Sequence, residues 1–387
     1  MMMKPIHFLS DNIISPLGFT TEDNYNSILS GKSSIIEHVK PAFQTTPFFA
    51  SLIDDIQIDN MWQKMDVSAD YTRFEKIAIL SILNASKNLN IDLSSPETLF
   101  ILSTTKGNIA LIDPTVNHHF SLDRVFLWKS AQLISSFFGN KNSPITISSA
   151  CISGVSALIT AKRLLTEGKY KNIVVCGVDE VSRFILAGFG SLKALSALPC
   201  RPYDKEHCGL NLGEGAATVI LSNDAASVSK NSIFILNGAI SNDANHISGP
   251  SRTGEGLFQA ILSTLEGFPK ESVAFVNAHG TATVFNDDME SIAINRSGLC
   301  KLPVVSFKGY YGHTMGAAGV IESVLSARAL QMQMLPASYG FMQSDTPETL
   351  NVPLTNLKLS QHSCIKTASG FGGCNAAVLL STINMNY

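Results

Sequence analysis

Three side chains in this sequence have the types to do covalent chemistry together: Cys151, His279 and His313. In TISSACISGVSALITAKRLLTEGK a β-like run ends at Ser149, and the apolar positions Ile152, Val155, Leu158, Ile159 and Leu165 continue at helical spacing. Cys151 therefore falls on a strand-to-helix turn. The first turns of that helix are apolar and Lys162, Arg163 and Lys169 gather toward its far end, which predicts a buried N-terminus. Unpaired N–H groups and the positive end of the helix dipole lower a cysteine pKa and can hold an oxyanion. The expectation is a thiolate nucleophile, with room for substrate beside Ser149, Ala150, Ser153 and Gly154. By residue type alone, a cysteine at a tight turn is also a small buried hydrophobe.

The two histidines occupy similar settings. VAFVNAHGTATVFNDDME is a strand that delivers His279 into a small-residue loop before a helix. PVVSFKGYYGHTMGAAGVIESVLSARAL repeats the arrangement, with Lys308, then a glycine-bounded loop holding His313, then a helix carrying Glu322. Ligands of α/β sheets bind at the carboxyl ends of strands, so Cys151, His279 and His313 are expected to converge. Each part has a plainer reading: a histidine beside glycine as a turn residue, and G-A-A-G as close helix packing. A Cys-His-His zinc site lacks any short metal spacing, and no phosphate-loop or dinucleotide-loop glycine motif is present.

Positioning these residues requires strands that end in turns from which helices start. Short apolar runs alternate with longer helical patterns, the signature of an α/β chain. Strands are predicted over 99–103, 145–149, 173–177 and 216–222, then over 233–236, 273–277, 304–307 and 375–380. Helices are predicted over 75–89, 152–168, 255–265, 287–295 and 315–331. The polar stretch 223–231 separates the two sets, so two halves are expected, 1–226 and 227–387. The segment 106–138 is the least regular and reads as a cap or an interface loop.

Composition bounds the function classes. The 28 basic and 31 acidic residues leave a net charge of −3 with no run of like charges, which excludes the footprint of a nucleic-acid binder. Charged residues are 15% of the 387, against a usual value of about 25%, so a large subunit interface and a homodimer are expected. The seven cysteines include no C-x-x-C pair, so reduced thiols are expected. The first 18 residues are broken by His7, Asp11, Asn12 and Pro16, and no apolar run reaches the ~18 residues of a transmembrane helix, so the reading is a cytoplasmic protein.

Taken in order, SSACISG, NAHGTAT, KGYYGHTMGAAG and ASGFGGCNAAV resemble the motifs of the β-ketoacyl-acyl-carrier-protein synthases, the elongating Cys-His-His type of the thiolase-like condensing enzymes. RPYDKEHCGLNLGEGAATVIL and the early ISPLG fit the same family. The resemblance implies an α/β thiolase-like fold of two related halves, each with a mixed five-stranded sheet, in alternating α/β/α/β/α layers. The first half would carry the nucleophile and the dimer interface, and the second both histidines. It implies a decarboxylative condensation of a Cys151-bound acyl chain with malonyl-acyl-carrier protein, in fatty acid or specialised polyene or polyketide synthesis.

Carried over by residue, His279 and His313 would stabilise the enolate, with Lys308 and Glu322 pairing to orient the site. The backbone N–H groups of Cys151 and Phe371 would form the oxyanion hole, the Phe371 side chain would gate the pocket, and Gly372, with Gly370 and Gly373, would allow close approach. Thr281 and Thr283 would contact the carrier's phosphopantetheine arm. The arm arrives with the substrate, so no metal or organic cofactor is expected. The partner implied is acyl carrier protein, acyl- and malonyl-loaded, an acidic surface for which Lys64 and Arg73 are candidate contacts. Ser369 stands where many relatives have phenylalanine, Cys374 stands at a usual threonine and reads as packing, and 106–140 is shorter than typical. Two other readings stand beside condensation: a non-catalytic chain-length partner in a heterodimer, a class that lacks the reactive cysteine this chain keeps, and an acyl-thioester hydrolase using Cys151 with one histidine as base.

Overall fold

The computed structural model describes residues 6–65, 67–116 and 118–383. In the first half strands and helices alternate: β1 (His7–Ile14), α1 (Arg73–Ser86), β2 (Thr98–Ser103), α2 (Leu127–Phe137), β3 (Ile145–Ile147), α3 (Ser153–Glu167), β4 (Asn172–Asp179), α4 (Arg183–Ser191) and β5 (Gly215–Ser222). The second half continues with β6 (Phe234–Asn242), α5 (Glu255–Thr264), β7 (Val273–Asn277), α6 (Val284–Arg296), β8 (Val304–Val305), α7 (Ala318–Met332), β9 (Ser363–Gly370) and β10 (Cys374–Ser381). These strands join in the order β8-β7-β9-β10-β6-β1-β5-β4-β2-β3.

The order hides a duplication. In the first block β3, β2 and β4 run parallel, and β5 and β1 follow antiparallel. In the second, β8, β7 and β9 run parallel, and β10 and β6 follow antiparallel. Strand for strand the two patterns are the same. They meet through the β1–β6 pairing at His7 and Phe234.

The core follows from which faces are apolar. β2 is buried at all six positions and β5 at all eight, as expected for strands covered on both faces. One apolar cluster joins α3 and α7 to the inner faces of both blocks, including Leu158, Ile159, Val320, Ile321, Val219 and Val378. A second packs α1 and α2 on the outer face of the first block, and a third packs α5 and α6 on the outer face of the second. The layers are therefore α/β/α/β/α. Local signals set the helix ends: Thr72 and Glu75 close a capping box on α1, and Gly168, at φ 78°, stops α3 in the left-handed region.

α3 and α7 cross where both backbones touch. A Cβ on Gly154 would lie 2.7 Å from the Val320 nitrogen, and one on Gly319 would lie 2.4 Å from the Val155 nitrogen. Neither backbone can yield as a side chain would. We expect Gly319→Val to cost about 3 kcal/mol or more and, by parting the two helix starts, to remove Cys151 acylation; thermal melting and mass spectrometry read both.

The second glycine of G-A-A-G is thus helix packing, and several boundaries move. The run 304–307 is a strand only at Val304 and Val305, because Phe307 caps a helical turn, Lys308–Tyr311. The patterns miss β1, interrupted by Ser10, Asp11 and Asn12, and β9, interrupted by Lys366. The segment 106–138 contains two 3₁₀ turns, Ile109–Ile112 and Leu122–Val125, and the whole of α2; Asn117 within it lies outside the described residues. Among the described residues no helix is long and apolar enough to cross a membrane.

Candidate active site

The duplication explains where the reactive groups meet. Cys151 follows β3 and leads into α3, and His313 follows the equivalent strand β8 and leads toward the equivalent helix α7. The crossing of α3 on α7 therefore brings the two turns together, and His313 Nε2 lies 3.0 Å from Cys151 Sγ. His279 leaves the end of β7, the neighbour of β8, and its ring stands edge-on to His313 with centroids 5.1 Å apart. Phe371 follows β9 on the other side of β7.

Ala150 holds the Cys151 turn in the left-handed region, φ 46°, which disfavours an L-residue by roughly 1–2 kcal/mol. The Ser153 hydroxyl ties the turn by donating to Ala150 O at 2.6 Å and accepting from Ser149 N–H at 2.8 Å. Burial pushes the Cys151 thiol up to about 12, opposed by the Lys308 ammonium and the Phe371 N–H. This corrects the expectation of a resting thiolate: taking the sulfur anion out of water outweighs the favourable field. Alkylation of resting Cys151 by iodoacetamide should therefore rise about tenfold per pH unit between about pH 7 and 9.5. A plateau below pH 8, read from the labelled peptide, would contradict this.

Both imidazoles are held neutral. Burial lowers His279 and His313 well below the usual histidine range, and Lys308 and Lys366 push further in the same direction. The Met315 N–H donates to His313 Nδ1 at 3.3 Å, so Nδ1 carries the lone pair and Nε2 the proton. His313 thus points an N–H at the cysteine sulfur. The main chain of His279 is clamped: its N–H donates to Glu290 Oε1 at 2.7 Å and its carbonyl accepts from Lys308 Nζ at 2.6 Å.

Lys308 and Glu322 are buried and paired at 2.6 Å. The sequence reading missed their third member, Lys366, which lies 2.5 Å from the other Glu322 oxygen. A lysine inside the apolar strand CIKTA was the available signal, since a buried charge requires a partner. Cys151, His279 and His313 have ligand atoms within 4.8 Å of one another, but the neighbouring ammonium groups oppose a divalent cation there. Also missed was Asp179, at the end of β4, which accepts from Thr104 Oγ1, Thr105 N and Gly316 N and so fastens the turn after His313.

These groups open into a cavity of ≈ 570 Å³ lined by Cys151, both histidines, Thr281, Thr283 and Phe371 among others. The Thr281 and Thr283 hydroxyls are 2.8 Å apart. Phe371 is partly exposed, its ring centroid 5.8 Å from that of Phe189. Gly372 donates to Ile247 O at 2.7 Å and, at φ 84°, adopts a conformation natural to glycine. Ser369 lines the cavity and donates to Asn375 Oδ1 at 2.8 Å. Cys374 Sγ lies 3.2 Å from Phe371 O, bracing the same turn. Of the candidate carrier contacts, Lys64 is exposed, whereas Arg73 is not free: it pairs with Asp55, Glu180 and Glu214 at 2.5, 2.7 and 2.9 Å.

The profile of the β-ketoacyl synthase N-terminal domain matches residues 126–226, and that of the C-terminal domain matches residues 233–342. The chain belongs to the β-ketoacyl synthases. This synthase is 28% identical over 406 residues to 3-oxoacyl-[acyl-carrier-protein] synthase 2 of Vibrio cholerae, covering 95% of this chain and 96% of the relative. Its fold matches the ketosynthase ApeO in complex with its chain length factor ApeC from Xenorhabdus doucetiae, with a TM-score of 0.84 at 22% identity, covering 98% of each chain. It also matches the ishigamide ketosynthase/chain length factor, with a TM-score of 0.87 at 22% identity, covering 99% of this chain and 100% of that one. As a β-ketoacyl synthase it is an acyltransferase that condenses acyl units in fatty acid or polyketide synthesis.

Proposed function

We propose that this synthase carries its acyl chain as a thioester on Cys151 and extends it by two carbons from malonyl-acyl-carrier protein. The observation that carries the reading is the His313 N–H held 3.0 Å from the Cys151 sulfur inside a cavity that also receives His279. The S–H bond of Cys151 breaks as its sulfur attacks the acyl-carrier thioester; the carbon–sulfur bond to the carrier breaks in turn, and the departing carrier thiolate takes up a proton in place of the one that Cys151 gave up. His313 stabilises the sulfur anion as a donor, and the Cys151 and Phe371 N–H groups receive the oxyanion. Malonyl thioester then enters with its carbonyl between the two imidazoles. Its carboxylate leaves as carbon dioxide, the bonding pair becomes an enolate, and the enolate carbon attacks the acyl-cysteine and expels the Cys151 thiolate, which takes up a proton from solvent to restore the resting thiol.

Lys308 and Glu322 orient the site in this reading, Thr281 and Thr283 contact the pantetheine arm, and Phe371 with Gly372 forms the gate. The chain divides at 226/227 into a half that supplies the nucleophile and a half that supplies the histidines. The partner is acyl carrier protein. A second synthase-fold chain, identical or related, covers the first half where Ile112, Leu122, Phe126 and Trp128 leave apolar surface exposed.

Intact masses of enzyme and carrier, recorded with a panel of acyl carriers with and without malonyl carrier, test the reading. An acyl adduct on Cys151 followed by a β-ketoacyl carrier two carbons longer is expected. Free acid alone would instead establish a hydrolase, and activity only with a second chain present would establish a heterodimer.

A further inference from the structure

The reaction just described gives no task to a lysine buried beside the Lys308–Glu322 pair. Lys366 is fully buried in β9, between Cys364 and Ala368 on the strand face that joins the central core. Methionine or leucine would fill that place without the desolvation an ammonium suffers. The ammonium is nevertheless fully engaged. It lies 2.5 Å from Glu322 Oε2 and donates to Ala278 O at 3.1 Å and to Asn277 Oδ1 at 3.4 Å. The sheet register fixes this placement, since Lys366 pairs directly with Asn277 at the end of β7.

Lys308 takes the other side of the same group, donating to Glu322 Oε1 at 2.6 Å and to His279 O at 2.6 Å. Two lysines thus share one carboxylate and hold the consecutive carbonyls of Ala278 and His279. Glu322 alone would neutralise Lys308; with Lys366 protonated the cluster keeps one positive charge. Resting on the condensation reading above, we propose that Lys366 is a positioning residue for decarboxylation, fixing the turn that carries His279 and maintaining a net positive charge behind both imidazoles where the enolate forms. Lys366 does not line the cavity and touches no reacting atom. Acyl transfer onto Cys151 needs neither the turn nor the enolate, so the two half-reactions should respond differently.

The charge is also titratable. Burial pushes Lys366 down to about 8, with Glu322 pulling it up and Lys308 pushing it further down. The other ionisable groups around it are Glu290 on α6, His279 and His313 in their turns, and Cys364 on its own strand. Both imidazoles are already neutral in this range, so the second ammonium is the group in the cluster that changes charge as pH passes 8.

The experiment compares wild type with Lys366→Met, measuring Cys151 acylation by intact mass and carbon dioxide release from malonyl carrier across pH 6.5 to 9.5. We expect acylation to stay within about threefold while carbon dioxide release falls by roughly 10- to 100-fold at neutral pH, short of the loss of a direct oxyanion donor. Wild-type release should decline above about pH 8, and this limb should vanish in Lys366→Met. Equal losses in both half-reactions, no loss in either, or an unchanged alkaline limb would overturn the proposal. Should Lys366→Met lose the native melting transition, the wild-type profiles decide: release declining while acylation does not supports the role, and parallel profiles refute it. Absence of any acyl-enzyme in wild type would instead refute the condensation reading itself.

Discussion

Cys151→Ala should give no acyl-enzyme with any acyl carrier and should lower condensation by roughly 10⁴-fold or more, the scale on which removal of a nucleophile is felt in covalent catalysis. No other thiol can substitute. Cys176, Cys200 and Cys364 are buried away from the cavity, Cys300 does not line it, Cys208 lines it without a histidine partner, and Cys374 is turned toward the Phe371 carbonyl. The variant should keep its native melting transition, because alanine fits wherever cysteine fits and the Ser153 bonds that hold the turn remain. Intact mass after incubation with acyl carrier checks the first claim, and thermal melting the second. An adduct surviving in Cys151→Ala would place the nucleophile elsewhere.

The two histidines should separate in their effects. His313 alone is within hydrogen-bond reach of the sulfur, so His313→Ala should slow both acylation of Cys151 and release of carbon dioxide, by about 10²–10³-fold for a lost donor. His279 has no such bond to the sulfur, so His279→Ala should lower carbon dioxide release to a similar degree, about 10²–10³-fold, while acylation persists. Single-turnover acylation and carbon dioxide release, measured on the same preparations, distinguish the two. Equal slowing of acylation in both variants would contradict the geometry. Neither loss should be recovered by acidification, since burial and the lysines hold the imidazole that remains in each variant neutral.

The residues that converge at the candidate site were legible because each sits in a local pattern that survives folding: a strand, a small-residue turn, a helix. Val273–Asn277 appears in the fold with the bounds that its apolar run suggests, and His279 follows from it. What sequence patterns could not show was long-range compensation. β9 was lost because Lys366 interrupts its apolar alternation, and that interruption is tolerated only because Glu322, 44 positions away by the numbering, reaches it across the core. Arg73 looked available to a carrier because nothing nearby in sequence announces Glu180 and Glu214. The thiol misled for a related reason: a helix start is visible in sequence, whereas the depth at which it is buried is set by α7 and β9, more than 150 residues further on.

The strand order also governs when the enzyme can first act. β9 and β10, with Phe371 at the turn between them, form the last hairpin among the described residues, yet it inserts between β7 and β6. While that hairpin is still inside the ribosome, the second block has a gap at its centre and two bare strand edges, and the Cys151 pocket lacks the wall that Phe371 supplies. The thiol half emerges first and waits, incapable of turnover, until β10 has been made. A polypeptide stopped before Cys374, the start of β10, would therefore fail to assemble rather than work poorly, and its open edges would mark it for chaperones and proteases.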